Sequence, residues 1–186
     1  MDRLLVFAHS FLRHPRMLGS VVPSSRFLVQ HLLDEIRFDR ARVIVEYGPG
    51  VGPITTALLA RMRPDARLVA FETNAKLAAF LRDTIHDPRL EVVEESAEHA
   101  SQVLAHLGLP RADHVISGIP FSTMPADVRR GVVRATRAVL RPGGTFLVYQ
   151  FSPKVRDFLT PHFNRIDRGM EWINVPPAQL FWAWKD

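Results

Sequence analysis

The stretch VIVEYGPGVGPIT, Val43 to Thr55, constrains the fold more than any other part of the chain. β-Branched residues run into an acid, Glu46. Three glycines follow at alternate positions, Gly48, Gly50 and Gly52, and a helix-forming run starts at Pro53. Glycine admits positive φ and lets a ligand approach the backbone closely. The helix after Gly52 offers free N–H groups to an anion or carboxylate. The loop is not a phosphate loop, because no Gly-Lys-Ser/Thr ending supplies the lysine that holds β- and γ-phosphates. Its spacing, G-P-G-V-G, also differs from G-x-G-x-x-G. A tight structural turn is the lesser alternative for the loop taken alone.

The rest of the chain repeats the strand–helix alternation. Helices are predicted at Asp2–His14, Arg26–Ile36, Pro53–Met62, Asn74–Ile85, Ala100–Leu107, Ala126–Leu140 and Lys154–Leu159. Strands are predicted at Val43–Glu46, Arg67–Glu72, Leu90–Glu94, His114–Ser117, Thr145–Phe151, Ile166–Ile173 and Leu180–Trp184. Ser24 and Ser25 can cap the helix at Arg26, and Pro125 suits the first turn of the next-to-last helix. RPGG, Arg141–Gly144, reads as a stop and turn. Seven strands alternating with helices predict an α/β fold with a mostly parallel sheet covered on both faces. The last two strands predict an antiparallel hairpin at the sheet edge. No repeat or linker divides the 186 residues, so one domain over 1–186 is expected, with residues 1–36 as N-terminal helices and 37–186 as the core.

Composition narrows the chemistry. There is no cysteine, which excludes disulfides, thiolate catalysis and cysteine-ligated zinc. No apolar run approaches the roughly 20 residues that span a bilayer. A cytoplasmic protein without a metal is the resulting expectation. The net charge is +5, carried almost wholly by arginine, with lysine only at 76, 154 and 185. Arginine suits phosphate, so nucleic acid and an anionic membrane both fit, as does a plain solvated surface.

A second acid, Glu72, ends the next strand about 20 residues beyond the glycine loop, where doubly wound folds place the acid for the ribose hydroxyls. Together with the E-x-G-x-G-x-G loop and the LRPGG turn, it makes the chain resemble the class I S-adenosylmethionine-dependent methyltransferases, with their Rossmann-like fold. The resemblance implies that Gly48, Gly50 and Gly52 wrap the methionine part of S-adenosylmethionine and that Glu72, next to Thr73, binds the ribose. It implies that Ser96, Ala97 and Glu98 lie by the adenine. Glu46 is placed to support the loop or the cofactor's amino group.

SGIPF, Ser117 to Phe121, resembles the N-[LI]-P-[FY] motif of exocyclic-amine methyltransferases, including ribosomal RNA adenine dimethyltransferases. There an amide and a backbone carbonyl hold the amine, and an aromatic ring packs on the base. Serine replaces asparagine here, and the extra C-terminal helical domain of those RNA enzymes is not expected. LGSVVPSSRFL, EYGPGVGPIT, SGIPFSTMP and NVPPA together are similar to the small bacterial phospholipid N-methyltransferases, which convert phosphatidylethanolamine stepwise to phosphatidylcholine. Tyr47 and Val51 depart from the leucine and threonine expected there. This resemblance implies that Val22, Pro23, Ser24 and Ser25 close over the cofactor. It implies an acceptor site at Ser117, Gly118, Ile119 and Phe121; composition, not the resemblance, offers the Tyr47 hydroxyl, His9 and His14 as candidate bases. Asn174–Ala178 reads as a rigid turn.

On a helical wheel Leu4, Phe7, Ala8, Phe11 and Leu12 share one face, while Arg3, Arg13 and Arg16 lie elsewhere. Such a helix suits an anionic membrane interface or simple packing on its own domain. The wheel leaves the two equal; the resemblance to the phospholipid N-methyltransferases implies a peripheral enzyme on the inner face of the cell membrane. Its partners would be the anionic surface and a phospholipid substrate, and no nucleic acid. An RNA adenine methyltransferase and a non-catalytic binding module are the alternatives.

Overall fold

The computed structural model describes residues 25–186 apart from Pro153 and Val175. The predicted Asp2–His14 helix, and with it Arg3, Leu4, Phe7, His9, Phe11, Arg13, His14 and Arg16, lies outside the described residues, as do Val22, Pro23 and Ser24.

Seven strands form one sheet in the order β3-β2-β1-β4-β5-β7-β6. They are β1 (Val43–Tyr47), β2 (Arg67–Phe71), β3 (Leu90–Val93), β4 (Ala112–Ser117), β5 (Leu140–Gln150), β6 (Arg165–Glu171) and β7 (Ala178–Trp184). The first five are parallel; β7 inserts antiparallel between β5 and β6. The edge hairpin expected from the sequence is present, with its second strand on the inner side.

Strand parity splits the core. Ile44, Leu68, Ile116 and Leu147 face α1 (Arg26–Leu33) and α2 (Pro53–Arg61), through Leu28, Leu32, Ile54 and Leu58. The third helix, α3 (Ala75–Thr84), covers Val92 of β3. Val45, Val69, Val115, Phe146 and Val148 face the other side. There α4 (Ala100–His106), α5 (Ala126–Val139) and α6 (Val155–Leu159) contribute Leu104, Val132, Val133 and Leu159. Full burial of such an aliphatic side chain contributes about 1.5–3 kcal/mol. Ser25 caps α1 by accepting from Leu28 N–H at 3.2 Å, and Trp182 Nε1 donates to Leu32 O at 3.3 Å. One face of α1, with Leu28, Val29, Leu32 and Leu33, is thus packed into the core.

The RPGG reading changes. Helix α5 passes directly into β5 at Leu140, and Arg141–Gly144 form a bulge inside that strand. Tertiary partners hold it there. Arg141 Nε donates to Asp113 Oδ1 at 2.6 Å, Gly143 N–H to Lys185 O at 2.7 Å, and Lys185 N–H to Gly144 O at 2.9 Å.

Candidate active site

The strand order reverses direction between β1 and β4, and ligands in open α/β sheets bind outside the carboxyl ends at such a point. Both sequence-derived loops emerge there. Tyr47 pairs with Ser117 across the two strands, and Gly118 N–H donates to Tyr47 O at 2.9 Å. The loops touch: a Cβ on Gly48 would fall 2.7 Å from Ile119 Cγ2, so only glycine fits. Gly50 has a different reason. Its φ is +60°, and a Cβ there would meet nothing within 4 Å. The loop therefore leaves an open side at its crest, where α2 begins at Pro53.

Two carboxyls lie beneath this crest. Glu46 is 1% exposed, and its Oε2 accepts from Thr55 Oγ1 at 2.7 Å. Burial, opposed by that hydrogen bond and reinforced by the neighbouring Glu72 charge, pushes Glu46 up to about 8. Glu72 is 7% exposed; its Oε2 accepts from Gly50 N–H at 3.2 Å and its Oε1 from Asn74 N–H at 2.9 Å. Burial also raises its pKa, against hydrogen bonds from Asn74, Gly50 and Thr73. Neither acid has a cationic partner among the described residues. Two buried carboxyls without a cation are costly to ionise, and a positively charged ligand relieves that cost. S-adenosylmethionine carries a sulfonium and an ammonium, so the site fits it on the chemistry of its donors.

The acceptor loop is held from two sides. Ser117 is buried, and its hydroxyl accepts from Ile119 N–H at 3.4 Å. Gln150 Nε2 donates to Ile119 O at 2.7 Å. A Cβ on Gly118 would lie 2.8 Å from Tyr149 Oη and 3.2 Å from Gly48 O. Tyr149 and Gln150, at the end of β5, thus join the site without having been singled out in the sequence. Their only signal is adjacency of β4 and β5, since about 30 residues separate them from the loop.

Two residues assigned to the acceptor site have side chains buried in the core. Tyr47 is fully buried in the core below α5, edge-on to Phe71 and Phe146 at 5.7 and 6.5 Å. Its hydroxyl faces Thr136, which instead donates to Val132 O at 2.7 Å, and burial pushes the phenol further up. It cannot serve as a base. Phe121 is 1% exposed and packs edge-on against Phe146 at 6.1 Å, so its ring supports the loop from within the core and presents no face to a base.

The remaining expected residues border the crevice. Thr73 is exposed beside Glu72, whose own N–H donates to Val93 O at 3.0 Å and so brings the β3 loop alongside. In that loop Ser96 Oγ accepts from Glu98 N–H at 3.3 Å and starts a single 3₁₀ turn, Ala97–His99. Ala97 is buried, and the Glu98 side chain lies over Gly131 of α5. Ser25 reaches the opposite flank, donating its N–H to Asn174 Oδ1 at 3.2 Å. Among the described residues no group of three or more His, Asp or Glu could hold a metal ion.

This sheet order, with two acids under a glycine crest, has the fold of S-adenosylmethionine-dependent methyltransferases. The N-methyltransferase NodS from Bradyrhizobium japonicum WM9, solved with S-adenosyl-L-homocysteine, matches it with a TM-score of 0.70 at 12% identity, over 95% of this chain and 98% of that one. The chain belongs to the methyltransferase small domain family, which matches residues 18–171. Its sequence is 32% identical to the ornithine lipid N-methyltransferase of Singulisphaera acidiphila over 185 residues, 98% of this chain and 96% of that relative. It is 28% identical to ribosomal RNA small subunit methyltransferase A of Staphylococcus carnosus over 98 residues, half of this chain and 32% of that one. This is an S-adenosylmethionine-dependent methyltransferase, and its near-full-length relative is a lipid N-methyltransferase.

Proposed function

We propose that the protein transfers methyl groups from S-adenosylmethionine to the primary amine of a membrane lipid, with phosphatidylethanolamine as the acceptor, stepwise through its mono- and dimethyl forms to phosphatidylcholine. The observation that carries this reading is the uncompensated Glu46–Glu72 pair directly beside a loop, Ser117–Ile119, that could face an amine. The near-full-length similarity to an ornithine lipid enzyme supports a lipid acceptor, while the RNA relative matches only half the chain. Phe121, buried in the core, offers no face on which a nucleobase could stack. Ornithine lipid and phosphatidylethanolamine present similar chemistry, a primary amine several bonds from an anion.

In this reading Gly48, Gly50 and Gly52 admit the methionine end of the donor, Glu46 and Glu72 receive its positive charge and ribose, and Ser96 and Ala97 border the adenine. The donor supplies an activated methyl on sulfur. The protein's part is to hold a neutral amine in line with that methyl at near-contact distance, where orientation supplies much of the rate. Backbone at Gly118 and Ile119, fixed by Gln150, and the Tyr149 hydroxyl are the groups that would orient the nitrogen. Val22, Pro23 and Ser24 would close over the donor, and the basic, apolar segment from Arg3 to Arg16 would meet the inner face of the cell membrane.

Incubation with methyl-labelled S-adenosylmethionine and vesicles of phosphatidylethanolamine, vesicles of ornithine lipid, or undermethylated ribosomal RNA tests the assignment. Label in phosphatidylethanolamine is expected. Label confined to ornithine lipid would move the acceptor within the lipid-amine class. Label in RNA alone would overturn the lipid reading, and label in none would leave a non-catalytic binding module.

A further inference from the structure

The turn between β6 and β7 carries the two most exposed large apolar side chains among the described residues, Trp172 at 72% and Ile173 at 62%. Phe27, at 39%, is a third. They belong together, because Asn174 of this turn accepts from Ser25 N–H at 3.2 Å, two residues before Phe27. Hydrogen bonds also tie the described residues of the turn to their neighbours. Glu171 Oε1 accepts from Ile173 N–H at 2.9 Å, Asn174 Nδ2 donates to Pro176 O at 2.8 Å, and His31 contacts Glu171 Oε2 at 3.2 Å. An exposed tryptophan held out on a pinned turn forfeits apolar burial in water, and indole at a membrane–water boundary recovers it.

Position and charge select the partner. β6 runs parallel to β5, so Glu171 and Gln150 end at the same carboxyl edge, where they flank Ala178 and Gln179 at the start of β7. Gln150 in turn grips Ile119 of the acceptor loop. Four neighbouring strands put the tip about 15 Å along that edge from the acceptor loop, at roughly 4.8 Å per strand. Arg26 stacks on Phe27 at 4.8 Å, and Lys154 follows the end of β5 on the same edge. The acid at the turn, Glu171, is largely buried and turned to His31. An apolar tip with Arg26 stacked beside it and Lys154 on the same edge is complementary to an anionic phospholipid surface.

We propose that the β6–β7 turn, with Trp172 and Ile173 as its tip and Arg26 and Phe27 beside it, docks on an anionic phospholipid bilayer and brings the acceptor loop to the lipid surface. The inference rests on the lipid-amine reading of the acceptor, and the test separates the two. Full-length protein carrying Trp172→Ser and Ile173→Ser is compared with wild type for binding to vesicles of phosphatidylglycerol and phosphatidylethanolamine. Binding is expected to fall about ten-fold or more, following loss of buried apolar area. Trp172→Phe with Ile173→Leu is expected to keep it. Methyl transfer to lipid in vesicles falls in parallel, while transfer to a water-soluble short-chain analogue and the melting temperature stay unchanged. Brominated lipid chains are expected to quench Trp172 fluorescence, a signal lost in Trp172→Phe.

Unchanged vesicle binding by the serine variant overturns the proposal. So does a shift of wild-type dimer to monomer on substitution, which would give the tip to a second copy. Shielding of Trp172 from acrylamide in vesicle-free solution also overturns it, because the chain's own first 24 residues would then cover the tip. Loss of vesicle binding without transfer to any lipid amine upholds the docking surface and sinks only the acceptor assignment.

Discussion

The two ends of the sheet treat buried charge in opposite ways. At the amino edge Asp113 is fully partnered: its carboxylate accepts from Arg42 N–H at 2.7 Å, Val43 N–H at 3.0 Å and Arg141 Nε at 2.6 Å. Burial works against ionisation, yet these bonds hold its pKa below the ordinary value. Lys185 Nζ likewise donates to Arg137 O and Leu140 O, both at 2.6 Å. At the carboxyl edge Glu46 and Glu72 have hydrogen bonds but no cation among the described residues, and their pKa values rise. One edge spends its charges on holding strands together. The other keeps two buried acids with no cation among the described residues, a pair that a cationic donor would complete.

Asp113→Ala should give the largest effect on stability. It strips two N–H groups and Arg141 of their acceptor, a loss of about 4 kcal/mol at roughly 1–3 kcal/mol per bond. Donor affinity should barely change. Chemical denaturation paired with donor titration checks both, and a large loss of donor affinity would blur the division between the edges.

The edges should also differ in pH response. His114, near the amino edge, is buried with Nδ1 unpartnered, and burial pushes it down from 6.5 to about 4. The unfolded chain takes up that proton below pH 6.5 and the folded chain does not. Stability from this group is therefore complete above pH 6.5 and falls by about 3 kcal/mol as pH drops through 4. Glu46 acts in reverse. Its folded pKa is raised, so its contribution is complete below pH 4.5 and is lost as pH rises through about 8. Denaturation as a function of pH should show the acid-side loss flattened in His114→Gln and the alkaline-side loss flattened in Glu46→Gln.

The sequence made the backbone at both edges legible, and less of the side-chain arrangement. Seven strands, the glycine turn, Glu72 and the edge hairpin followed from local pattern. Tyr47 was recoverable from parity: Glu46 faces α2, so its neighbour on an extended strand must face the other side. Phe121 was not, because its burial depends on how the chain re-enters the core after Pro120. The bulge at Arg141–Gly144 needed Asp113 and Lys185, far away in sequence. Ser96 gave no sign of the 3₁₀ turn it starts.

Glu72→Ala should weaken donor binding about 10- to 150-fold, from loss of one charge-assisted interaction worth roughly 1.5–3 kcal/mol. It should cost little stability compared with Asp113→Ala. Unchanged affinity in calorimetry would remove Glu72 from the donor site. The smallest effect is expected for Gln150→Leu, which frees Ile119 O. A loss of about 1 kcal/mol should raise the acceptor KM roughly five-fold and leave donor affinity intact. An equal change in both would mean that Gln150 braces the whole crevice.

The central claim, that the uncompensated acid pair receives the donor's positive charge, is tested most directly by calorimetry of S-adenosylmethionine binding at pH 7 in buffers of different ionisation enthalpy. Glu46, protonated before binding, should give up its proton when the cation arrives. The wild type should therefore release a proton that Glu46→Gln does not. Identical proton balance in the two proteins would contradict the account.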